Sequence, residues 1–278
     1  MRTLILGGTG TLGSALTAAA DARGWPTLGT SFRGSADRTP LDVRDADAVS
    51  ELFADFRPDA TVCAAPLDAD SAAHLANAVS AAGGVLAVFS CAAVYGECRV
   101  AAREEDELKP KGERGLEHAA TEAAVRAALP ERSLIVRTSG LFDGGRFGRV
   151  GRLVHKLRKG AGLTADNERV TQPTFAPDLA EVTLDLLKGG HCGAFNAAGP
   201  DRHTDFTFAR LVAHLFGYDA DLVQPAAGTD DRPAKVQLDR FRLRKLLGPD
   251  LFRPTADALR VVRAGMSEWS QIRVASAA

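Results

Sequence analysis

The fold of this chain is decided by one stretch near its start, TLILGGTGTLGSALTAAA, at residues 3–20. Residues 3–6 are apolar and suit a strand, residues 7–13 are rich in glycine, and residues 14–20 favour a helix. A strand that runs through a glycine turn into a helix is how a βαβ unit begins. The stretch therefore predicts a parallel sheet built on residues 3–6.

The glycines of this stretch also predict a ligand. Gly7, Gly10 and Gly13 have the spacing G-x-x-G-x-x-G between the strand and the helix. Glycine lets the backbone approach a pyrophosphate, and the helix N-terminus supplies partial positive charge. This context favours dinucleotide binding, while the alternative is an ordinary strand-to-helix turn.

The residue that follows the second strand bears on the choice of cofactor. Proteins that select NAD carry an acidic residue about 20 positions after the glycines, where it binds the ribose 2′-hydroxyl. Arg33 stands there in this chain, and a guanidinium suits a 2′-phosphate, so NADP(H) is favoured over NAD(H). Arg33 could instead be a solvated surface residue. Asp42 could accept from the adenine amine or cap the helix that begins near Ala46.

Strand-like and helix-like segments alternate from residue 3 to residue 137, which is typical of an α/β protein. After Gly140 many glycines interrupt the pattern. We therefore predict a Rossmann-like doubly wound parallel sheet with a smaller C-terminal substrate-binding region. The predicted boundaries are residues 1–145 with 176–196 for the dinucleotide-binding domain, and residues 146–175 with 197–278 for the smaller region.

Composition excludes several classes of protein. The 278 residues carry a formal net charge of -1, which leaves no overall positive field to attract nucleic acid. The four cysteines form no C-x-x-C pair, and the six histidines show no ligand spacing. We therefore expect reduced thiols, no metal site and a cytoplasmic location. Because no 18-residue apolar stretch occurs, we expect no membrane insertion.

Landmarks along nearly the whole chain resemble a known family. They are GGTGTLG at residues 7–13, LDVRD at 41–45, PD at 58–59, FSCAAVYG at 89–96, VRTSGLF at 136–142, QPTFAPDLA at 172–180 and RPAKVQLD at 232–239. On these residues the chain resembles the extended short-chain dehydrogenase/reductases, and within them the dTDP-4-dehydrorhamnose reductase-like, sugar-nucleotide-binding family. The resemblance implies a small-molecule, sugar-nucleotide-like substrate, a cleft at the carboxyl ends of the strands, and a possible pairing of two copies as a homodimer.

The predicted cofactor contacts combine the glycine loop with the positions that match this family. They are Gly7, Thr9, Gly10, Leu12, Gly13, Arg33, Asp42, Val43, Ala64 and Ala65.

The resemblance fails at the catalytic residues. The family works through a Ser or Thr and a Y-x-x-x-K pair, in which the tyrosine donates a proton and the lysine lowers its pKa. This chain has only two tyrosines, Tyr95 and Tyr218, and the residues four positions later are Arg99 and Leu222. The Y-x-x-x-K motif is therefore absent.

Matching residues 114–122 to the family pattern shows what replaces it. Arg114 falls at the tyrosine, His118 at the lysine and Glu122 at a trailing glutamate, while Cys91 falls at the hydroxyl position. Arginine cannot donate a proton at neutral pH, because its pKa is above about 12. Carbonyl reduction by the family route is therefore closed to this chain.

Two functional hypotheses remain, and the sequence leaves both open. In the first, His118 is an acid or base, Arg114 holds a carboxylate, phosphate or enolate, and Cys91 is a nucleophile if His118 lowers its pKa. Such a site could support hydride transfer, elimination or isomerisation. In the second, the protein binds a nucleotide without turnover as a regulatory or scaffolding subunit, as the regulatory subunit of methionine adenosyltransferase does in this family. All three side chains could also be structural: Cys91 as a small buried residue, the other two as polar helix positions.

Three further residues are predicted on the substrate side. Gln172 and Thr174 fall in a loop that borders the sugar-nucleotide cleft in the family, and Arg232 could clamp a diphosphate. Each could equally be structural or solvated. The basic run at residues 240–245 is predicted to be the exposed face of a helix without a functional role.

Overall fold

The computed structural model describes residues 1–34, 37–98, 100–228, 233 and 235–275, with side chains as far as residue 266. The main sheet has seven parallel strands in the order β11-β6-β5-β4-β1-β2-β3. Its strands are β1 (Thr3–Leu6), β2 (Thr27–Ser31), β3 (Thr39–Pro40), β4 (Ala60–Cys63), β5 (Val85–Cys91), β6 (Ser133–Thr138) and β11 (Gly193–Asn196). This arrangement confirms the predicted Rossmann-like α/β fold.

The shorter strands pair outside the main sheet, β7 with β10, β8 with β13, and β9 with β12. They are β7 (Leu141–Phe142), β8 (Leu163–Asp166), β9 (Val170–Thr171), β10 (Thr174–Phe175), β12 (His203–Thr204) and β13 (Val223–Ala226). The helices are α1 (Thr11–Ala22), α2 (Ala46–Phe56), α3 (Ala69–Ala82), α4 (Glu113–Ala128), α5 (Arg149–Arg158), α6 (Ala176–Lys188), α7 (Asp205–Phe216), α8 (Phe241–Leu247) and α9 (Thr255–Ala275).

Local signals in the sequence set several of these boundaries. The Asp45 carboxylate accepts from the Ala48 N–H at 3.0 Å and so caps α2. Asp68 caps α3 in the same way, and Gly83 ends that helix with a positive φ of 76°. Asp42 does not cap a helix, so that alternative for Asp42 is wrong.

The two faces of the main sheet bury separate apolar clusters. One face packs against α1 and α6 through residues such as Leu16, Leu179 and Leu184. The other packs against α2, α3 and α4 through residues such as Leu75 and Val125. Two covered faces explain why the strands are continuous apolar runs without alternation.

A third cluster holds the C-terminal elements together. Phe142, Phe175 and Phe208 lie at its centre, with the ring centroids of Phe142 and Phe208 5.4 Å apart. Leu243 and Phe252, by contrast, belong to the cluster of the main sheet. The C-terminal part of the chain therefore contributes to two cores.

Candidate functional site

The glycine loop after β1 is held in a shape that only glycine allows at two positions. Gly7 has a φ of 81°, and a Cβ placed on it would lie 2.7 Å from the Ala65 nitrogen. A Cβ on Gly13 would overlap the Gly7 carbonyl oxygen. The backbone of the loop therefore packs directly against the backbone of Ala64 and Ala65, which follow β4, and leaves no room for a side chain at Gly7.

The first turn of α1 presents backbone donors at the top of this loop. Gly10 is the N-cap residue and provides no side-chain hydrogen bond, so the N–H groups of the first turn lack a side-chain cap. Thr9 and Gly10 are exposed beside them, whereas the Leu12 side chain is buried in the core. This cradle fits an anionic group such as a pyrophosphate.

Arg38 is the cation that reaches the loop, and the sequence analysis missed it. A Cβ on Gly29 would lie 2.7 Å from Arg38 Cδ, and a Cβ on Gly8 would lie 2.9 Å from Arg38 Nε. The side chain therefore crosses β2 at Gly29 with its Nε beside Gly8, and its Nη1 donates to the Asp37 carbonyl at 2.8 Å. Within the described residues, the buried Arg38 Nε and the buried Ser31 Oγ have no hydrogen-bond partner. A cation and a hydroxyl with unused hydrogen-bonding capacity thus stand beside the loop.

The predicted contacts Arg33, Asp42 and Val43 have other surroundings. Arg33 is exposed after the end of β2. The Asp42 carboxylate accepts from Arg44 Nε at 2.9 Å and from Arg44 Nη2 at 2.8 Å, and these bonds lower the pKa of Asp42. The Val43 carbonyl lies 2.6 Å from His74 Nε2. The Asp42 acceptor is therefore already engaged by a neighbouring cation.

Cys91 lies at the carboxyl end of β5, and we call Cys91, Arg114 and His118 a cluster because the charge of Arg114 acts on both of the other side chains. Gly115 on α4 packs so closely on the turn after β5 that a Cβ there would lie 2.9 Å from the Ala93 carbonyl oxygen. The helix thereby sets Arg114 and His118, one turn apart, near the end of the strand. Arg114 is exposed, and its charge favours a lower pKa at both Cys91 and His118.

The pKa of His118 and the pKa of Cys91 shift in opposite directions. Burial, followed by the charge of Arg114, lowers the pKa of His118, so its imidazole is neutral at neutral pH. Burial raises the pKa of the Cys91 thiol despite Arg114 and two backbone hydrogen bonds. The nucleophile hypothesis requires the opposite shift, with His118 as its cause. Burial therefore favours the thiol form of Cys91 over the thiolate, and His118 is the group suited to proton transfer.

Tyr95 takes no part in this cluster because the core holds it. Its hydroxyl donates to Asn196 Oδ1 at 2.9 Å and accepts from Arg137 Nη1 at 2.5 Å. Arg137 also forms a two-pronged ion pair with Glu122, with Nε–Oε1 and Nη2–Oε2 distances of 2.9 and 2.6 Å. Arg137 and Glu122 are 1% and 2% exposed. The network anchors α4 to β6 one helical turn below His118.

Thr138 is the hydroxyl closest in register to Cys91. The two residues are paired across β5 and β6, so their side chains share one face of the sheet. The buried Thr138 Oγ1 has no partner among the described residues. Only the pairing of these two strand ends could have identified it from the sequence.

The predicted substrate residues Gln172 and Thr174 are buried and bind backbone. Gln172 Oε1 accepts from the Leu238 N–H at 2.7 Å. Thr174 Oγ1 donates to the Ser139 carbonyl at 2.7 Å and accepts from the Gly199 N–H at 3.0 Å. Both side chains therefore shape the loop. The third predicted residue, Arg232, lies outside the described residues.

The described residues contain no group of three or more His, Cys, Asp or Glu side chains arranged to hold a metal ion. Across the same residues, no helix has the length and apolar character needed to cross a membrane. All four cysteines are free, and burial raises the pKa of Cys63 to about 12.

Comparisons with known proteins agree with the geometry of the loop and the sheet. The family described as the RmlD substrate binding domain matches residues 1–72 and 63–251. A dTDP-4-dehydrorhamnose reductase of Streptomyces griseus is 30% identical over 268 residues, which cover 87% of this chain and 86% of that protein.

Two further proteins are similar to this chain, one in its fold and the other in its sequence. A dTDP-4-dehydrorhamnose reductase of Bacillus anthracis, solved in complex with NADP, has a TM-score of 0.84 at 18% identity and covers 94% of this chain and 96% of that one. At that identity the likeness establishes the fold alone. Methionine adenosyltransferase 2 subunit beta of Bos taurus is 26% identical, covering 88% of this chain and 82% of that protein.

Proposed function

This chain belongs to the RmlD substrate binding domain family, and from that premise we propose that it binds NADP(H) and acts on a sugar-nucleotide or similar carbonyl compound through His118 in an altered extended short-chain dehydrogenase/reductase site. The observation that carries the proposal is the glycine cradle. Its two obligatory glycines lie beside an uncapped helix N-terminus and the unpartnered polar atoms of Ser31 and Arg38.

The cofactor part of the proposal assigns roles along the loop. Gly7, Gly10 and Gly13 admit the pyrophosphate to the N–H groups of α1. Arg38, rather than Arg33, would pair with a 2′-phosphate, because its guanidinium already lies against Gly8 and has an unused donor. When bound, the cofactor would supply or accept a hydride.

The catalytic part assigns the proton to His118 and anion binding to Arg114. In carbonyl reduction, the imidazolium of His118 would give its proton to the substrate oxygen as the carbon receives a hydride. In the reverse oxidation, or in an elimination or isomerisation, neutral His118 would remove a proton. Arg114 would hold the negative charge that develops beside it. Gln172 and Thr174 would act by positioning the substrate loop.

The lowered pKa of His118 fixes the sign of the pH dependence. Reduction needs the protonated ring, so its rate should fall as pH rises through a value below the ordinary histidine pKa. Proton removal needs the neutral ring, so its rate should rise through the same value.

A second candidate function is nucleotide binding without turnover. Two features favour it: burial raises the pKa of the Cys91 thiol, and the Tyr95 hydroxyl is bonded to Asn196 and Arg137 in the core. The likeness to methionine adenosyltransferase 2 subunit beta supports a regulatory or scaffolding role of this kind.

One experiment separates the two candidates. The purified protein is titrated calorimetrically with NADPH, NADP⁺ and NADH. The absorbance of NADPH is then followed with a dTDP-4-keto sugar across a pH series. Our proposal expects binding, oxidation of NADPH that slows as pH rises, and a loss of about 10²-fold in turnover for His118→Ala with unchanged NADPH affinity.

Cys91→Ala is the matched control, since it alters the same cluster without touching the imidazole or introducing the hydroxyl of the family, and it should retain activity. Binding without oxidation at any pH would overturn the catalytic proposal and support the second candidate. Failure to bind any dinucleotide would overturn both.

A further inference from the structure

A cavity of about 1020 Å³ lies along the outer edge of the main sheet, beside β11. It is lined by Ala101, by residues 103–105, 237–242 and 244–246, and by Gln172, His191, Phe195 and Pro200. We call it the edge cavity. Its lining includes neither the glycine loop nor Cys91, Arg114 or His118. Any ligand bound there would therefore occupy a separate site.

Positive charge dominates the edge cavity. Five cations line it against three carboxylates, and the cations are Arg103, Arg240, Arg242, Arg244 and Lys245. Two of the carboxylates already have partners. Glu104 Oε1 accepts from the Asn196 N–H at 2.9 Å, and Asp239 Oδ1 accepts from the Phe241 N–H at 2.7 Å. The lining is thus left with an excess of cations.

Arg240 and Arg244 form the centre of this excess. They are four residues apart, Arg240 as the N-cap of α8 and Arg244 in its last turn, and like charges at this spacing repel each other. Burial and the charge of Arg244 lower the pKa of Arg240, although Asp201 and Asp239 act in the opposite direction. An anion placed between the two guanidinium groups would relieve this repulsion.

Another arginine of the lining is already held in position. Arg242 lies over the Phe195 ring at 4.4 Å and donates to the Ala194 carbonyl at 3.2 Å. Arg103 is largely exposed, with its Nε 3.6 Å from Asp239 Oδ2. A guanidinium group that is fixed in advance, as in Arg242, loses little conformational entropy when an anion binds.

The shape of the edge cavity favours a small molecule. Its volume is at the upper end of the roughly 300–1,000 Å³ that is typical of small-ligand sites. Phe241, whose side chain is 71% exposed, and His191 offer rings at its border. These features suit a ligand that carries a flat group as well as phosphates.

From this arrangement we infer that the edge cavity binds a phosphorylated small molecule, with its phosphates held between Arg240 and Arg244. The inference reverses the sequence-based prediction that residues 240–245 are only an exposed helix face. It does not rest on the proposed function, since the edge cavity contains none of the proposed cofactor or proton-transfer residues and shares with that function only Gln172, which positions a loop.

Inorganic pyrophosphate is the probe for this site. Calorimetric titration at fixed ionic strength should show one bound equivalent, and the Arg240→Gln/Arg244→Gln variant should bind at least about tenfold more weakly, since each lost charge-assisted bond is a strong one. The Arg240→Lys/Arg244→Lys variant keeps the charge and should retain part of the affinity. It also tests the site if the glutamine variant does not fold.

Two matched controls locate the binding. Lys156→Gln/Arg158→Gln removes two cations from the last turn of α5, outside the edge cavity, and should leave pyrophosphate binding unchanged. Gly13→Val, which closes the glycine loop, tests whether the pyrophosphate occupies that loop instead. The inference is wrong if wild-type protein does not bind pyrophosphate. It is equally wrong if a folded Gly13→Val variant loses binding while a folded Arg240→Gln/Arg244→Gln variant retains it.

Discussion

The two ends of the candidate site are built in different ways. At the glycine loop the exposed surface is backbone, and its sequence keeps the pattern of the family. At the ends of β5 and α4 the surface is made of side chains, and Cys91, Arg114 and His118 depart from that pattern. The first end allows little change, because a Cβ on Gly7 or Gly13 would meet other backbone atoms.

The second end can change because its residues project from a scaffold that is held elsewhere. The Glu122–Arg137 pair and the close contact of Gly115 with Ala93 fix α4. Arg114 is exposed and His118 is half-buried above that anchor. New chemistry, or the loss of chemistry, is therefore compatible with an unchanged fold.

The largest effect is expected at the glycine loop. Gly13→Val should abolish dinucleotide binding, because its side chain would overlap the Gly7 carbonyl and push the loop away from α1. Overpacking of this kind should also lower the free energy of unfolding by about 1–3 kcal/mol. Calorimetric titration with NADPH and urea denaturation measure the two effects.

Gly265→Ala is the control for this change, because a Cβ at that helical position would meet no atom within 4 Å. Retained NADPH affinity in Gly13→Val would show that the loop is more adaptable than its backbone contacts indicate.

The next largest effect is expected at the anchor of α4. Glu122→Ala leaves the Arg137 guanidinium buried without its carboxylate and should cost about 3–5 kcal/mol in the free energy of unfolding. Denaturation by urea measures this loss. Glu117→Ala, an exposed change on the same helix, should have little effect.

If Glu122→Ala costs no more than Glu117→Ala, the ion pair does not anchor α4. The double variant Glu122→Leu/Arg137→Met sharpens the test, because replacing both charges should recover much of the lost stability.

The smallest effect is expected in cofactor preference. Arg38→Gln should weaken NADPH binding about tenfold, which corresponds to about 1.4 kcal/mol, while NADH binding changes little. Arg33→Gln provides the matched comparison and should leave both affinities unchanged. The opposite result would support the original assignment to Arg33.

The sequence was informative where interactions are local. The helix predicted to begin near Ala46 begins there as α2, because Asp45 caps it. Whereas β2 and β3 contain few apolar residues, the strands β1, β4, β5 and β6 of the main sheet were recognisable from theirs. The short pairs outside it were not, since strands such as β8 and β13 are joined only by distant pairing, Leu163 with Val223. The helix α9 was likewise not predicted.

In the candidate site, too, the local features were predictable from the sequence and the contacts between distant segments were not. The positions of Gly7, Gly10 and Gly13 followed from the sequence, because a strand, a turn and a helix in immediate succession place them without help from the rest of the chain. Arg38 could not be found in that way, since its side chain reaches Gly8 by crossing the neighbouring strand. The interpretation of Gln172 and Thr174 changed for the same reason: their partners lie on distant segments.

The sequence by itself determined the fold class, the glycine loop and the loss of the Y-x-x-x-K motif, because each depends on residue types at short, fixed spacings. Only the tertiary structure decided which cation reaches the loop, that Tyr95 belongs to the core, and that Arg240 and Arg244 line a cavity. These outcomes depend on burial and on contacts between segments far apart in the chain, and burial also sets the pKa shifts of Cys91 and His118.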